Sequence, residues 1–400
     1  VKKKILISIY DMEIGGVERS LINMLECFDF NKYDVDLLIC NHAGDFMNLI
    51  PMTVNVLPEV NEYTVFRKSI IQCIREGNIR TSIIRILSKY IAHKKAKRRH
   101  FIEGPGYIQM QLVSKYVSYF LPKYTKKYDV AISYAWPHNI VASRIDANKK
   151  IAWIHTDYST LEIDNKIDFN MWSKFDYIVS ISDECTNAFL MKYPLLKRKI
   201  IMIENITSPK FIQQMADETV VFDRETDRSF NIVSVGRLSY AKGFDVAIKA
   251  LRVLHDRGFN NIKWYVVGYG SDETILRKLI EELKLENSFV LLGKKTNPYP
   301  YMKACDLYVQ PSRYEGKAVT VTEAKILGKP ILITSYPTAS SQIDDGYEGI
   351  ICDSSVGGVV EGIGTLYRDS ELRGTLITRL RNREYSNDYE LNKLYKIIDT

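Results

Sequence analysis

Asn231-Ile232-Val233-Ser234-Val235-Gly236-Arg237-Leu238-Ser239-Tyr240-Ala241-Lys242-Gly243 reads as a short buried strand, a glycine-bounded loop and the approach to a helix over 244–254. Strand-like apolar runs recur at 264–267, 289–292, 307–309 and 330–333, with helix-forming stretches at 273–283 and 298–304 between them. Such alternation predicts a parallel sheet covered by helices. The first forty residues follow the same order: a strand over 5–9, Gly15-Gly16, a helix over 17–27 with Leu21, Met24, Leu25 and Phe28 at helical spacing, and a strand over 35–40. Further strands are expected at 54–57, 130–133, 151–154 and 177–180. The pattern therefore begins twice and predicts an α/β protein of two halves, each a parallel sheet covered by helices.

The length of 400 residues suits two domains of about 150 to 200 residues, each able to bury its own core. The expected division is 1–205, 206–385 and a terminal helix over 386–400 that returns to the first domain, with the polar stretch 217–229 as the linker or its immediate neighbourhood. Hydrophobic residues at 46% and charged residues at 26% describe a folded soluble chain. The apolar runs fall short of a spanning helix, and the start reads as a strand rather than a signal peptide. A cytoplasmic location is expected. The cysteines form no CxxC pair, which suits reduced core thiols.

The net charge of +7 is uneven. Eleven basic residues against Glu76 alone lie between Phe66 and His100, which leaves −3 for the rest of the chain. A basic segment mixed with Ile, Leu and Tyr suits an anionic membrane surface, with a solvated helix face as the plain alternative. Nucleic acid is not expected, because no binding motif accompanies the charge.

Two strings carry chemistry. Arg237 and Lys242 stand at a strand's carboxyl end beside a helix start, a place that suits a phosphate or diphosphate. In Tyr314-Glu315-Gly316-Lys317-Ala318-Val319-Thr320-Val321-Thr322-Glu323-Ala324, a helix beginning just after Gly316 would set Glu315 at its mouth and Glu323 roughly two turns inside. Amides between them could hold an anion while the carboxylates accept from hydroxyls. The β-branched run 319–322 alternates like a strand and opposes this helix.

Gly15-Gly16-Val17-Glu18, Gly236-Arg237 through Lys242-Gly243, Val267-Gly268-Tyr269-Gly270 and Glu315 to Glu323 occur in an order that resembles the family-four retaining glycosyltransferases of GT-B fold. The resemblance is densest over 231–353 and weaker over 41–127. It implies two Rossmann-like domains with parallel sheets facing across a cleft, with a nucleotide sugar on the second and an acceptor on the first. By that resemblance Arg237 and Lys242 hold the donor diphosphate, Glu323 the ribose and Glu315 the transferred sugar. Gly236, Gly268 and the backbone of Gly316, Lys317, Ala318 and Val319 would approach sugar and phosphate. Gly15 and Gly16 would let the first domain's loop close on the phosphates, with a Cβ at Gly16 obstructing it. His155, in Trp153-Ile154-His155-Thr156-Asp157, matches the family's histidine near the reacting carbon, while His138 receives no role. Lys317-Ala318 stands where the family often has Phe-Gly, and Gln342 where it often has a glutamate.

The resemblance thus implies a retaining hexosyltransferase, UDP-linked in preference to GDP-linked, acting on a lipid-linked or polysaccharide acceptor. No cofactor or metal is expected, and Asp34-Val35-Asp36 reads as two solvent-facing acids around a buried valine. A GT-B epimerase or phosphorylase, or an inactive nucleotide-sugar-binding scaffold, are the rival readings.

Overall fold

The computed structural model describes residues 2–101, 104–156, 158–159, 161–220, 222, 229–315 and 318–400. The chain divides into two compact units, Val1–Thr207 with Asn387–Thr400, and Ser208–Ser386. The first holds a seven-stranded sheet in the order β3-β2-β1-β4-β5-β6-β7. Its strands are β1 Lys3–Ile9, β2 Tyr33–Ile39, β3 Asn55–Val56, β4 Lys127–Ser133, β5 Asp146–Ile154, β6 Tyr177–Ser180 and β7 Ile200–Met202. The second holds a six-stranded sheet in the order β10-β9-β8-β11-β12-β13. Its strands are β8 Phe230–Val235, β9 Ile262–Val267, β10 Phe289–Gly293, β11 Leu307–Gln310, β12 Ile331–Thr334 and β13 Ile350–Cys352. Neighbouring strands pair in parallel throughout both sheets.

Parallel sheets bury both faces, so their strands are apolar runs, as Ile5 to Ile9 and Ile232 to Val235 are. In the first unit Trp172, Phe175 and Phe189 are fully buried, with the Trp172 and Phe189 rings 5.3 Å apart and edge-on. In the second, Trp264 on β9 donates to Ser234 Oγ on β8 (2.9 Å), which donates to Val309 O on β11 (2.5 Å). This chain of bonds ties three strands beneath the loops at their carboxyl ends.

Strand order reverses direction between β1 and β4 in one sheet and between β8 and β11 in the other. At such a switch point the loops leaving adjacent strands diverge and open a crevice. The residues after β8 are 236–243, and those after β11 begin at Pro311.

The chain passes between units at 207/208, ahead of the stretch 217–229, of which residues 221 and 223–228 lie outside the described residues; Phe222 within it is buried with its ring 4.5 Å from that of Tyr265. Two expectations change. Asp36 is not solvent-facing. It accepts from Asn55 Nδ2, Lys126 Nζ and Tyr128 OH at 2.6 to 2.7 Å, which cover it, while Asp34 remains exposed. Glu323 sits about one turn inside its helix rather than two, since the helix is Val319–Ile326.

The basic segment forms two helices, Ile70–Arg75 and Ile79–Arg99. The longer one buries its small residues, Ser82, Ser88, Ala92 and Ala96. Most of its large apolar side chains point outward: Ile79, Ile83, Ile86, Leu87 and Tyr90 are each more than half exposed, while Ile84 packs on the first unit's core. Among the described residues no helix is long and apolar enough to cross a membrane.

Candidate functional site

The loop after β8 carries Gly236 and exposed Arg237, turns through Tyr240–Lys242, and reaches the helix Phe244–Asp256 at Gly243. Gly243 has φ +66°, and a Cβ there would lie 2.0 Å from Pro311 O. Only glycine allows that contact between the loops after β8 and β11. Gly268, after β9, is equally constrained, since a Cβ would come 1.9 Å from Gly236 O. The sequence expectation at Gly236 and Gly268 concerned a ligand; the structure places both where backbone approaches backbone.

Lys242 Nζ donates to Glu315 Oε1 at 2.5 Å, an oxygen that also accepts from Ser312 Oγ (2.6 Å) and Gln310 Nε2 (3.1 Å). Gln310 is itself held through Oε1 by Tyr308 OH (2.6 Å) and Thr320 Oγ1 (3.2 Å). The switch point thus brings Lys242, from β8, against Glu315, from β11. Arg313 clamps the same two loops: it forms a two-pronged pair with Asp245 (2.7 Å each), lies 4.1 Å over the Tyr240 ring, and donates its backbone N–H to Ala241 O. Burial pushes the Asp245 carboxyl up, but the Arg313 hydrogen bonds and charge outweigh it and hold the pKa below the ordinary value.

Glu323 is buried and its Oε1 accepts from Tyr299 OH at 2.9 Å. At the helix mouth the Ala318 N–H donates to Gln342 Oε1 (3.0 Å), and Tyr336 OH donates to the same oxygen (3.2 Å). The Ala318 amide, expected to approach sugar and phosphate, is here engaged by the chain's own Gln342. Val319 opens the helix and is partly exposed, while Gly316 and Lys317 lie outside the described residues. Arg313, Gln310, Ser312 and Tyr299 were missed from sequence. Each is a single polar residue at a strand or helix end, with no pattern to mark it.

In the first unit, Gly15 caps the helix Gly16–Glu26. Within this chain the steric demand falls on Gly15 rather than Gly16. A Cβ on Gly15 would meet Glu18 Oε2 at 2.2 Å, whereas one on Gly16 meets nothing within 4 Å. His155 follows β5, with its ring 4.7 Å from that of Tyr134 and Nε2 buried without a hydrogen-bond partner among the described residues. Burial pulls its pKa down to about 4 against the opposing bond to the Tyr134 backbone, so the imidazole is neutral near pH 7. His138, set aside from sequence, lies on the same wall: its Nδ1 is 2.8 Å from Ser133 Oγ, and burial lowers its pKa to about 3.

Trp136, His138, Trp153, His155 and Thr156 separate two cavities. One, of about 250 Å³, is also lined by Glu18 and Arg67; Arg67 pairs with Asp11 at 2.6 Å and lies over the Tyr10 ring. The other, of about 220 Å³, is walled by aromatic and aliphatic side chains. Among the described residues no group of three or more His, Cys, Asp or Glu is placed to hold a metal ion.

Residues 218–383 match the family model described as glycosyl transferases group 1. An N-acetylgalactosaminyltransferase of Campylobacter jejuni, named for N-acetylgalactosamine-N,N'-diacetylbacillosaminyl-diphospho-undecaprenol, is 24% identical over 220 residues, 54% of this chain and 58% of that one. The amylovoran biosynthesis glycosyltransferase AmsD of Erwinia amylovora is 30% identical over 164 residues, 40% of this chain and 43% of its own. The chain thus spans about half the length of the curated relatives it matches. Among solved structures, Anabaena Alr3699/HepE with UDP and glucose superposes with a TM-score of 0.64 at 17% identity over 99% of both chains. S. aureus TarM gives 0.65 at 14% identity over 100% of both. The fold is GT-B over the whole chain, and the resemblance to group 1 glycosyltransferases holds in sequence for the second unit.

Proposed function

We propose that this protein is a retaining glycosyltransferase that moves a hexose from a UDP-linked sugar to a hydroxyl of a lipid-linked or polysaccharide acceptor at an anionic membrane surface. The observation that carries the reading is the meeting of Lys242 and Glu315 at the second sheet's switch point, with Arg237 on the same loop and a helix start beside it. A departing diphosphate needs positive charge fixed before it leaves. Arg237, Lys242 and the helix amides supply that charge without a metal. Glu315 accepts from sugar hydroxyls and Glu323 from the ribose. The acceptor hydroxyl attacks from the face the diphosphate vacates, with a phosphate oxygen taking its proton. His155, neutral near pH 7, offers Nε2 to a sugar hydroxyl and needs no proton removed first.

Two relatives support the acceptor class by what their names say: one acts on a diphospho-undecaprenol-linked sugar and one in amylovoran biosynthesis. The outward apolar face of Ile79–Arg99, which continues into exposed Lys94, Lys97 and Arg98, supports the membrane surface. The test is thermal stability against UDP-, GDP- and ADP-sugars with and without EDTA, since ligand at one hundred times its Kd stabilises by about 2.7 kcal/mol. A shift confined to UDP-sugars that survives EDTA is expected; a shift abolished by EDTA overturns metal independence. Absence of any shift overturns the donor site, and a shift without turnover favours the inactive nucleotide-sugar-binding scaffold. Anomer analysis of the product decides retention.

A further inference from the structure

We infer that the aromatic cavity of the first unit receives the apolar chain of an isoprenoid- or alkyl-phosphate acceptor, with the phosphate end toward His155 and Arg67. The inference rests on the lipid-linked form of the proposed function and adds the residues that would select for the lipid.

The chemistry of the walls fits a hydrocarbon chain better than a sugar ring. Away from His155 and Thr156, which stand on the wall shared with the second cavity, the acidic and amide groups of the lining are held by neighbouring side chains. Asp168 accepts from Trp172 Nε1 (3.0 Å), Tyr193 OH (2.9 Å) and Gln111 Nε2 (3.0 Å), and Asn139 Nδ2 donates to Ser114 Oγ (3.0 Å). A hexose there would leave hydroxyls buried without partners, at a cost for each of them. A hydrocarbon chain loses no hydrogen bond and gains contact with the ring faces of Trp136, Trp172 and Tyr158.

The placement of the cavity points the same way. Its outer rim carries Tyr107 and Met110, 39% and 41% exposed, on the helix Gly106–Ser118. That helix packs against Ile79–Arg99, whose outward face is apolar and whose sequence holds eight Lys and Arg and no Asp or Glu. A chain lying in an anionic bilayer therefore meets the rim from a surface that attracts its phosphates. The inner wall is shared with the second cavity, where the Arg67 side chain is 54% exposed beside its bond to Asp11. A guanidinium carries five donors, so Arg67 can bind a phosphate and keep that bond.

Three of the four tryptophans, Trp136, Trp153 and Trp172, line this cavity, and Trp264 lies in the other unit's core. Intrinsic fluorescence of the full chain is therefore a direct readout. A brominated dodecyl phosphate, kept below its micelle concentration, is titrated and then competed with farnesyl phosphate. Saturable quenching that farnesyl phosphate reverses is expected. Half-saturation should be at least about tenfold weaker in Met110→Glu, a loss of about 1.4 kcal/mol, and unchanged in Met191→Glu, which alters a residue 84% exposed outside the cavity. Arg67→Ala should bring the phosphate probe down to the affinity of bromododecanol. Unsaturable quenching, equal quenching in Met110→Glu, or competition by a methyl hexoside as strong as by farnesyl phosphate would each overturn the inference. A UDP-sugar thermal shift in the same preparation separates the cases: with the shift present only the lipid pocket fails, and with it absent the transferase reading fails as well.

Discussion

Lys242 and Glu315 are joined through one carboxylate oxygen that Ser312 and Gln310 also hold. Removing the lysine therefore leaves Glu315 positioned, and Lys242→Ala should report the charge offered to the diphosphate rather than a displaced carboxylate. Its kcat should fall about 10²-fold or more, the range for one preorganised donor to a developing anion; steady-state kinetics with the donor found by thermal shift checks this. Glu323 works differently, because it is buried and its partner Tyr299 can bond an amide oxygen equally well. Glu323→Gln should keep the fold and weaken nucleotide binding about tenfold, the worth of one charged hydrogen bond of about 1.5 kcal/mol, in calorimetric titration with UDP. Asp245 gives a pH signature. Its folded pKa lies below the ordinary value of 3.8, so its contribution is complete above that value and disappears as pH falls through the lower, folded one. Urea unfolding should show wild type more stable than Asp245→Asn at pH 7, with the difference shrinking below about pH 4. Equal differences at pH 7 and pH 3 would remove the Arg313 clamp from the account. At this scale the sequence marked the charged residues of the strings and missed those that hold them, because a lone Gln310 or Ser312 has no periodicity or spacing to betray it.

Elements were more legible than their orientation. Apolar runs bracketed by glycine located β1, β2, β8 and β9, since a strand buried on both faces must be apolar along its length. The segment 319–322 shows the limit: its β-branched residues alternate like a strand, yet it is helical. Propensity there is weaker than the packing of Val321 and Ala324, both buried. Asp36 shows another, because a polar residue in a strand looks solvent-facing until the neighbouring strands are known. The helix Ile79–Arg99 shows a third. Its sequence displays two faces, and the inward one is the small-residue face, a choice set by the close approach of Gly106–Ser118. The outward apolar face is consequently a structural finding, and a monomeric chain has no reason to hold it in water. Ile83→Asp with Leu87→Asp alters two residues 53% and 56% exposed, so folding should be unaffected. Binding to phosphatidylglycerol vesicles should drop at least about tenfold in sedimentation, as loss of inserted side chains worth about 1.5 kcal/mol or more each requires. Wild-type binding should also weaken with salt. Failure of wild type to bind, with sedimentation equilibrium showing a dimer that the double variant abolishes, would assign the face to a second copy instead.

The division of the whole molecule follows burial rather than chain order. Residues 387–400 come after the second unit in sequence and belong to the first. The reason lies in the helix Leu391–Asp399, where Leu391, Leu394, Ile397 and Ile398 are all buried. Tyr395 stacks on Tyr33 with centroids 5.1 Å apart and accepts from the Asp29 backbone N–H at 2.9 Å, while Lys3 and Lys149 donate to the carbonyls of Ile398 and Ile397. The first unit therefore needs the far end of the chain to complete its surface beside β1 and β2. The aliphatic spacing made a terminal helix readable and its return to the first domain was expected, but the strands and side chains it covers were not, since an amphipathic stripe specifies burial and not the surface that provides it. Leu394 is wholly inaccessible, and Leu394→Ala should cost about 2 to 4 kcal/mol, the usual range for a buried leucine truncated to alanine. The two units have separate cores, so differential scanning calorimetry can resolve where that cost falls. The first unit's transition should move down by several degrees while the second unit's transition and its shift with UDP-sugar stay in place. Equal displacement of both transitions would mean that the units unfold as one, and that the terminal helix stabilises the molecule rather than the unit it covers.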